Sequence, residues 1–294
     1  MFWFVERQKA TFKISLMCRV LGVSTSGYYA WRRRLPSERA RQDAKLTKRI
    51  MEIHSKSRGT YGAPRIHAEL TIVDGISCSK KRVARLMRQA NLTGVHRRKL
   101  KGCTRRDPAR PSYPDLVERA FTATAPNQKW VADITQYSTG EGWLYLAIVI
   151  DLFSRKVIGW AMGARAFAEL VVDALDMATW NRRPAQGVIH HSDHGTQYTS
   201  LAFSHRLQEA GICGSMGSIG DALDNAAAES FFATLQTELL DRDSWPTRQK
   251  LRSHIFEYIE AFYNRKRRHS TLEYLSQLEF EERWFKQKKQ KAIA

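Results

Sequence analysis

The sequence predicts an α/β protein in which a mixed five-stranded sheet with flanking helices follows an all-α region. Three observations lead there. From about residue 120 the apolar pattern alternates between strand-like and helix-like runs. Before that point only short, capped helical patterns occur. The charge divides along the chain as well: residues 1–110 carry 27 Lys and Arg against 7 Asp and Glu (net +20), and residues 111–294 carry 21 against 22 (net −1). A uniformly charged solubilising surface would intersperse both signs, so the basic front reads as a module for a polyanionic partner.

The elements follow in order. Phe12, Leu16, Val20 and Leu21 mark one apolar helix face, and Gly22 ends it. Ser24 caps a following helix that carries Tyr28 and Trp31 and ends in Arg32, Arg33 and Arg34. Helix, glycine turn and capped helix with a basic end is the shape of a helix-turn-helix, here assigned to residues 1–35. A second helical DNA-binding unit is assigned to 36–96. It opens with a helix begun by Pro36, Ser37 and Glu38, with Leu46, Ile50 and Ile53 on one face. A helix with Ile66 and Leu70 follows, then one capped by Ser79 with Val83, Leu86 and Met87 inward. Lys80, Lys81, Arg82, Arg85 and Arg88 project elsewhere, either as a solvated face or as phosphate contacts. Arg97, Arg98, Lys99 and Lys101 just beyond favour the phosphate reading.

Residues 97–119 form a basic linker with Pro108, Pro111 and Pro114, and 120–245 form the α/β core. Its strands are expected at Trp130–Tyr137, Leu144–Ile150, Lys156–Met162 and Gly187–His191, with another beginning at Ile212. Leu144–Ile150 is apolar almost throughout, as a central buried strand should be. Helices are expected at Phe167–Trp180, Thr199–Ala210 and Asp224–Leu240. Residues 246–294 make a helical basic tail with a helix over Thr247–Asn264 and a basic knot from Arg265 to Arg268. No internal repeat is present. The scattered Cys18, Cys78, Cys103 and Cys213 have neither zinc-ligand spacing nor a disulfide pattern. No segment approaches membrane-spanning length, which makes the cytosol the default expectation.

Three carboxylates carry the functional reading. Asp133 lies mid-strand in Lys129-Trp-Val-Ala-Asp-Ile-Thr135. Asp193 lies just past a short strand in His190-His-Ser-Asp-His-Gly195. Glu229 lies near the start of a helix in Asp224-Asn-Ala-Ala-Ala-Glu-Ser-Phe-Phe232, with 35 residues between it and Asp193. Strand ends flanked by a helix are where α/β sheets place ligands. Three converging acids would hold two hard divalent cations, Mg²⁺ or Mn²⁺, which clamp the attacking and leaving oxygens of a phosphodiester. Each acid alone reads as a surface carboxylate; the three contexts together do not. Asp151 ends an apolar strand and mimics a ligand position, but Arg155 nearby makes it a structural acid. His190 and His191 point to opposite sides of a strand, so they do not share a zinc ion. Asn225 is either a helix cap, as is Asp224, or a DNA contact on the face of Glu229.

These motifs resemble the transposases of bacterial insertion sequences of family three, specifically the product of the second reading frame. The resemblance covers nearly the whole chain. Arg19–Ser24 with Gly27–Trp31 is similar to the family's opening helix-turn-helix. Tyr61–Ile66 and Lys81–Met87 are similar to its second unit. Trp130–Thr135, His191–Gly195 with Gln197–Ser200, and Asp224-Asn225 with Ala228–Phe232 resemble the three acidic motifs, and Tyr263-Asn264 with Arg268, His269 and Leu272 the closing one. The resemblance implies a ribonuclease-H-like core and a catalytic, metal-binding triad of Asp133, Asp193 and Glu229. It implies cleavage at the ends of an element to leave a 3′-hydroxyl, which then attacks another phosphodiester. Its partners would be double-stranded DNA, as terminal inverted repeats and target, and the product of an upstream overlapping reading frame, with an oligomer formed on DNA. One departure stands out. The family's usual basic residue seven positions after the glutamate is Gln236 here, expected to touch DNA without charge. The competing readings are a DNA-binding regulator or inactive relic, and a ribonuclease-H-like nuclease without strand transfer.

Overall fold

The computed structural model describes residues 1–95, 113, 115–117, 122–216 and 226–293. Arg97, Arg98, Asp224, Asn225 and most of the linker lie outside the described residues.

Three short helices, α1 (Phe2–Gln8), α2 (Ile14–Val20) and α3 (Thr25–Arg33), open the chain. The Ser24 hydroxyl accepts the Gly27 N–H at 3.0 Å, and Gly22 turns the chain at φ +65°. The anticipated helix, glycine turn and capped helix are thus present. The buried face differs from the expected one. Phe12, Leu16 and Val20 are exposed, whereas Met17 and Cys18 pack with Val5 and Tyr28. Both sides of this helix carry apolar residues. The side that is buried is the one met by Val5 of α1 and by Tyr28, which also bonds the Glu6 carboxylate.

The next unit comprises α4 (Glu38–Lys56), α5 (Ala63–Ala68) with a π-helical continuation to Val73, and α6 (Lys80–Gln89). Ser79 caps α6 as anticipated, and Ser37, expected only to help begin α4, caps it too; each accepts an N–H three residues on at 3.2 Å. Leu46, Ile50, Ile53, Ile66, Leu70, Val83, Leu86 and Met87 are all buried.

The sheet contains β1 (Lys129–Thr139), β2 (Gly142–Asp151) and β3 (Lys156–Gly163), followed by α7 (Ala168–Arg182), β4 (Ile189–Ser192), α8 (Leu201–Glu209) and β5 (Cys213–Met216). The spatial order is β3-β2-β1-β4-β5. The first three strands form an antiparallel meander, and β4 and β5 add in parallel through α7 and α8. Then come α9 (Ala226–Glu238), α10 (Arg248–Glu257) with a π-helical turn to Tyr263, and α11 (Gln277–Ile293).

Strand alternation divides the apolar residues between two faces. Trp130, Ala132, Ala147, Val149 and Ile158 pack under α7 and α8. Gly159 permits this approach, because a Cβ there would lie 2.1 Å from the Ala174 carbonyl oxygen. Val131, Tyr137, Leu146 and Ile148 pack on the other side with Phe231 and Leu235 of α9, and with Leu251 and Ile255 of α10. The apolar residues of α4, α5 and α6 belong to that same second core. The basic helical unit is therefore welded to the α/β layer.

Buried polar contacts reinforce the weld. Tyr61 donates to the Lys266 carbonyl at 3.1 Å and accepts the Arg268 N–H at 2.7 Å. Glu238 at the end of α9 accepts from Arg267 at 2.8 Å, from Arg65 at 3.1 Å and from Tyr258 at 2.9 Å. Glu281 of α11 holds Arg182, Lys156 and Ser154.

Candidate active site and nucleic-acid surfaces

Asp133 and Asp193 meet because of strand register. On the parallel pair, Lys129, Trp130 and Val131 of β1 lie opposite Ile189, His190 and His191 of β4. Asp133 and Asp193 each lie two residues beyond the last of these pairs, and both line one cleft. Neighbouring strands lie about 4.8 Å apart, so the two carboxylates share one end of the sheet. Both are half-buried and line an open cleft of about 350 Å³ with Thr135, Gln136, Tyr145, Gly195, Gln197 and Tyr198 among its walls.

Local backbone orients each acid. The Ile134 N–H donates to Asp133 Oδ1 at 2.8 Å, and the Gly195 N–H donates to Asp193 Oδ1 at 2.9 Å. Gly195 has a steric reason to be glycine: a Cβ would stand 2.9 Å from Asp193 Oδ1 and 3.2 Å from Gln197 Oε1. Gln197 Nε2 donates to the Ala166 carbonyl at 2.8 Å, which ties the loop after β4 to the connection between β3 and α7.

Glu229 occupies the first turn of α9 and is exposed. It does not line the cleft of Asp133 and Asp193. α9 lies against β1 and β2 on the face that carries Val131 and Tyr137, which by alternation is also the face of Asp133. The structure thus brings two of the three acids together and places the third on an adjoining helix on the side of Asp133. Among the described residues, no three His, Cys, Asp or Glu side chains are close enough to hold a metal ion.

The surroundings separate functional from structural groups. His190 is fully buried against Tyr198 and Phe203, and burial lowers its pKa to about 4, so it is neutral. His191 Nδ1 meets the Ser215 hydroxyl at 2.9 Å. The two rings thus have separate environments. Tyr198 is buried at the cleft wall; burial raises its pKa well above the ordinary value, and Asp133 and Asp193 raise it further. Asp151 is completely buried, and burial raises its pKa. It accepts N–H groups from Asn127 at 2.8 Å and Phe153 at 2.9 Å and faces Arg182 at 3.3 Å. Its structural role stands, with Arg182 as the cation in place of the expected Arg155.

The basic residues sort by partner. Arg33, Arg34, Lys81, Arg88 and Arg265 are exposed. Arg32 is exposed too, with Glu6 3.8 Å away. Arg82 and Arg85 turn to Asp43, each at 2.7 Å, and hold α6 against α4. Arg268 departs most from the expected surface role. It is buried and braces Glu69 and Glu279, because the chain folds back at Asn264 and draws it inward. Arg267 is buried against Glu238 in the same way, so only Arg265 and Lys266 of the knot reach solvent. Gln236 is half-buried and bonds Asp241. The sequence reading passed over Asp43, Glu238 and Glu281. Their arginine partners are distant in sequence, and no local pattern signals them.

Comparison with known proteins adds an independent line. Residues 123–222 match the integrase core domain family model, residues 210–276 a second integrase core domain model, and residues 41–99 an HTH-like domain model. The chain is 42% identical over 268 residues to the insertion element IS600 uncharacterized 31 kDa protein of Shigella sonnei, covering 91% of this chain and 98% of that protein. It is 41% identical over 280 residues to transposase InsF for insertion sequence IS3A of Escherichia coli K12, covering 95% and 97%. Among solved structures, the HTLV-2 integrase catalytic core domain in complex with magnesium is 18% identical, with a TM-score of 0.40 over 54% of this chain and 98% of that one. The catalytic core domain of BIV integrase is 15% identical, with a TM-score of 0.41 over 55% and 98%.

Proposed function

Because this chain belongs to the IS3 family of insertion-sequence transposases, we propose that Asp133, Asp193 and Glu229 are its catalytic triad, and that it cuts element ends and joins them to new DNA through a bound divalent ion. The shared cleft supports the reading, since Asp133 and Asp193, each two residues past the β1–β4 pairing, both line it. Their carboxylate oxygens are hard donors, and the nearby His190 is buried, so Mg²⁺ or Mn²⁺ suits the site better than Zn²⁺. Asp133 and Asp193 would hold the metal, and Glu229 would complete the set as α9 closes on the cleft. The bound metal supplies a polarised phosphoryl oxygen and an activated water or 3′-hydroxyl. Tethered by Gln197 and shaped by Gly195, the loop fixes the direction of the Asp193 carboxylate.

DNA lies along the exposed cations Arg33, Arg34, Lys81, Arg88 and Arg265, which contact phosphates. The partners proposed are terminal inverted repeats, target DNA and the product of an upstream reading frame, in an oligomer assembled on the nucleoid in the cytoplasm. The test is cleavage and joining of labelled element-end duplex, with the partner frame supplied. Wild type is expected to cut only with Mg²⁺ or Mn²⁺, and Asp193→Asn to bind the duplex normally without cutting it. Cutting at the wild-type rate by Asp193→Asn would sink the assignment. A second reading, a relic that binds without cutting, is favoured by one observation: Gln236 bonds Asp241 and brings no charge toward a DNA end. The same assay separates the two.

A further inference from the structure

The geometry points to a preformed cradle for the phosphodiester backbone of duplex DNA, at the joint where α4 and α5 meet the segment after the Tyr263 turn. This inference rests on the transposase reading and adds a site to it. A groove of about 480 Å³ runs between the two. Arg49 and Lys56 stand on one wall, two turns apart on the same face of α4 and flanking Ile53. Arg265, Lys266 and Arg268 form the other, and Tyr61 and Phe262 lie between them. Five cations line the groove against two carboxylates, Glu69 and Glu279.

Those cations fall into two classes. Arg49 is held by Asp74 and Glu52, and Arg268 by Glu69 and Glu279. Arg268 thus takes up both carboxylates of the groove, and Arg49 is fixed in its wall by acids outside it. Lys56, Arg265 and Lys266 are exposed, and among the described residues none makes an ion pair within 4 Å; Lys56 acts on Asp74 only at longer range. Three exposed cations without a close ion pair thus line a rigid groove that also holds Tyr61 and Phe262. The rigidity comes from Tyr61, whose hydroxyl clamps the backbone on both sides of Arg267, by donating to the Lys266 carbonyl and accepting the Arg268 N–H. A solvated lysine face has no such frame.

Placement gives the groove its role. One wall belongs to the HTH-like unit and the other to the segment matched by the second integrase core model. A duplex backbone seated there would touch both units at once. Arg267 in the same segment bonds Glu238 at the end of α9, so the cradle is also tied to the helix that carries Glu229. Phosphate contacts in the groove fix the position and direction of the duplex and carry no sequence information.

The experiment uses the full-length chain with Lys56, Arg265 and Lys266 all changed to Ala, and a companion in which Lys56 and Lys266 become Arg. Duplex binding is measured across salt concentrations. Each lost phosphate contact should flatten the log–log slope by about 0.9, so the triple variant should lose about 2 to 3 in slope and bind about 10- to 100-fold more weakly at moderate salt. The arginine companion should keep the wild-type slope. An unchanged thermal midpoint confirms that the fold survives these surface changes. An unchanged slope in the triple variant overturns the cradle. So does loss of salt-sensitive self-association with DNA binding intact, which would make the occupant an acidic polypeptide. Failure of wild type to cut in metal would count against the transposase reading while leaving the slope comparison valid.

Discussion

Two glutamates on α9 meet opposite fates. Glu229 sits exposed in the first turn, and Glu238 is buried in the last. Nine residues place them about half a turn apart around the helix axis. Glu238 is fixed by Arg65, Arg267 and Tyr258, drawn from three other parts of the chain. Glu229 lies on the helix that packs over the Asp133 face of the sheet, outside the cleft lined by the two aspartates. The same contrast separates Asp193, at the cleft, from Asp151 and Glu281, which are buried against Arg182. A carboxylate used for structure is buried and neutralised by arginine, because an unpaired buried charge would destabilise the fold. Asp133 and Asp193 instead stay at an open cleft, oriented by backbone N–H groups.

The largest effect expected from this contrast is on catalysis. Glu229→Gln should lower metal-dependent cleavage by about 10³-fold or more, about 4 kcal/mol of transition-state stabilisation. Duplex affinity and the denaturation midpoint should not move. A variant that cuts normally would place Glu229 with the ordinary surface acids and break the comparison.

Glu238→Gln should do the reverse. It leaves Arg267 buried without its counter-charge and should destabilise the protein by about 3 kcal/mol in a denaturant titration. Cleavage per folded molecule, measured well below the melting transition, should persist. A second signature comes from pH. Burial raises the Glu238 carboxyl, but bonds and charge from Arg267, Arg65 and Tyr258 outweigh it and hold the group below the ordinary value. Its stabilisation is therefore present above the unfolded glutamate pKa of about 4.3 and is lost as pH falls through the lower folded value. Wild-type stability should decline on acidification through that window, and Glu238→Gln should show a flatter profile. Equal slopes would mean that the pair contributes nothing.

Gly195→Ala should fall between these extremes. The added methyl stands 2.9 Å from Asp193 Oδ1, so the loop must shift and carry the carboxylate with it. Cleavage should drop about 10-fold, about 1.4 kcal/mol, with little change in stability. The smallest effect belongs to Gln236→Lys. Gln236 faces Asp241, so a lysine is expected to divide itself between that acid and DNA and contribute less than about 1 kcal/mol to end binding. A tenfold or larger gain in strand transfer would show that the neutral residue limits this copy.

Much of the α/β layer was legible in the sequence because apolar period and burial coincide there. The run Leu144–Ile150 became the interior of β2, and predicted and observed ends of most core elements differ by one or two residues. That Asp133 and Asp193 would meet was legible because strand context places them at one cleft. The unread parts share a cause. On α2 both sides offered apolar residues, and packing against the adjoining α1 and α3 chose between them. The pairs Asp43 with Arg82 and Arg85, Glu238 with Arg267, and Arg268 with Glu69 join residues remote in sequence, so basic runs that looked uniform divide into struts and free cations. The docking of the helical unit on the sheet was hidden for the same reason, since Leu46, Ile50 and Val83 look like the core of an isolated bundle until their far neighbours are known.

Whether the three acids assemble around metal is tested most directly by anomalous diffraction from crystals of the full chain bound to element-end DNA in Mn²⁺. The account predicts a peak between Asp133 and Asp193, with carboxylate oxygens of both at about 2 Å and Glu229 drawn in to complete the set. A peak held by other residues, or Glu229 remaining turned away from an occupied site, would contradict it.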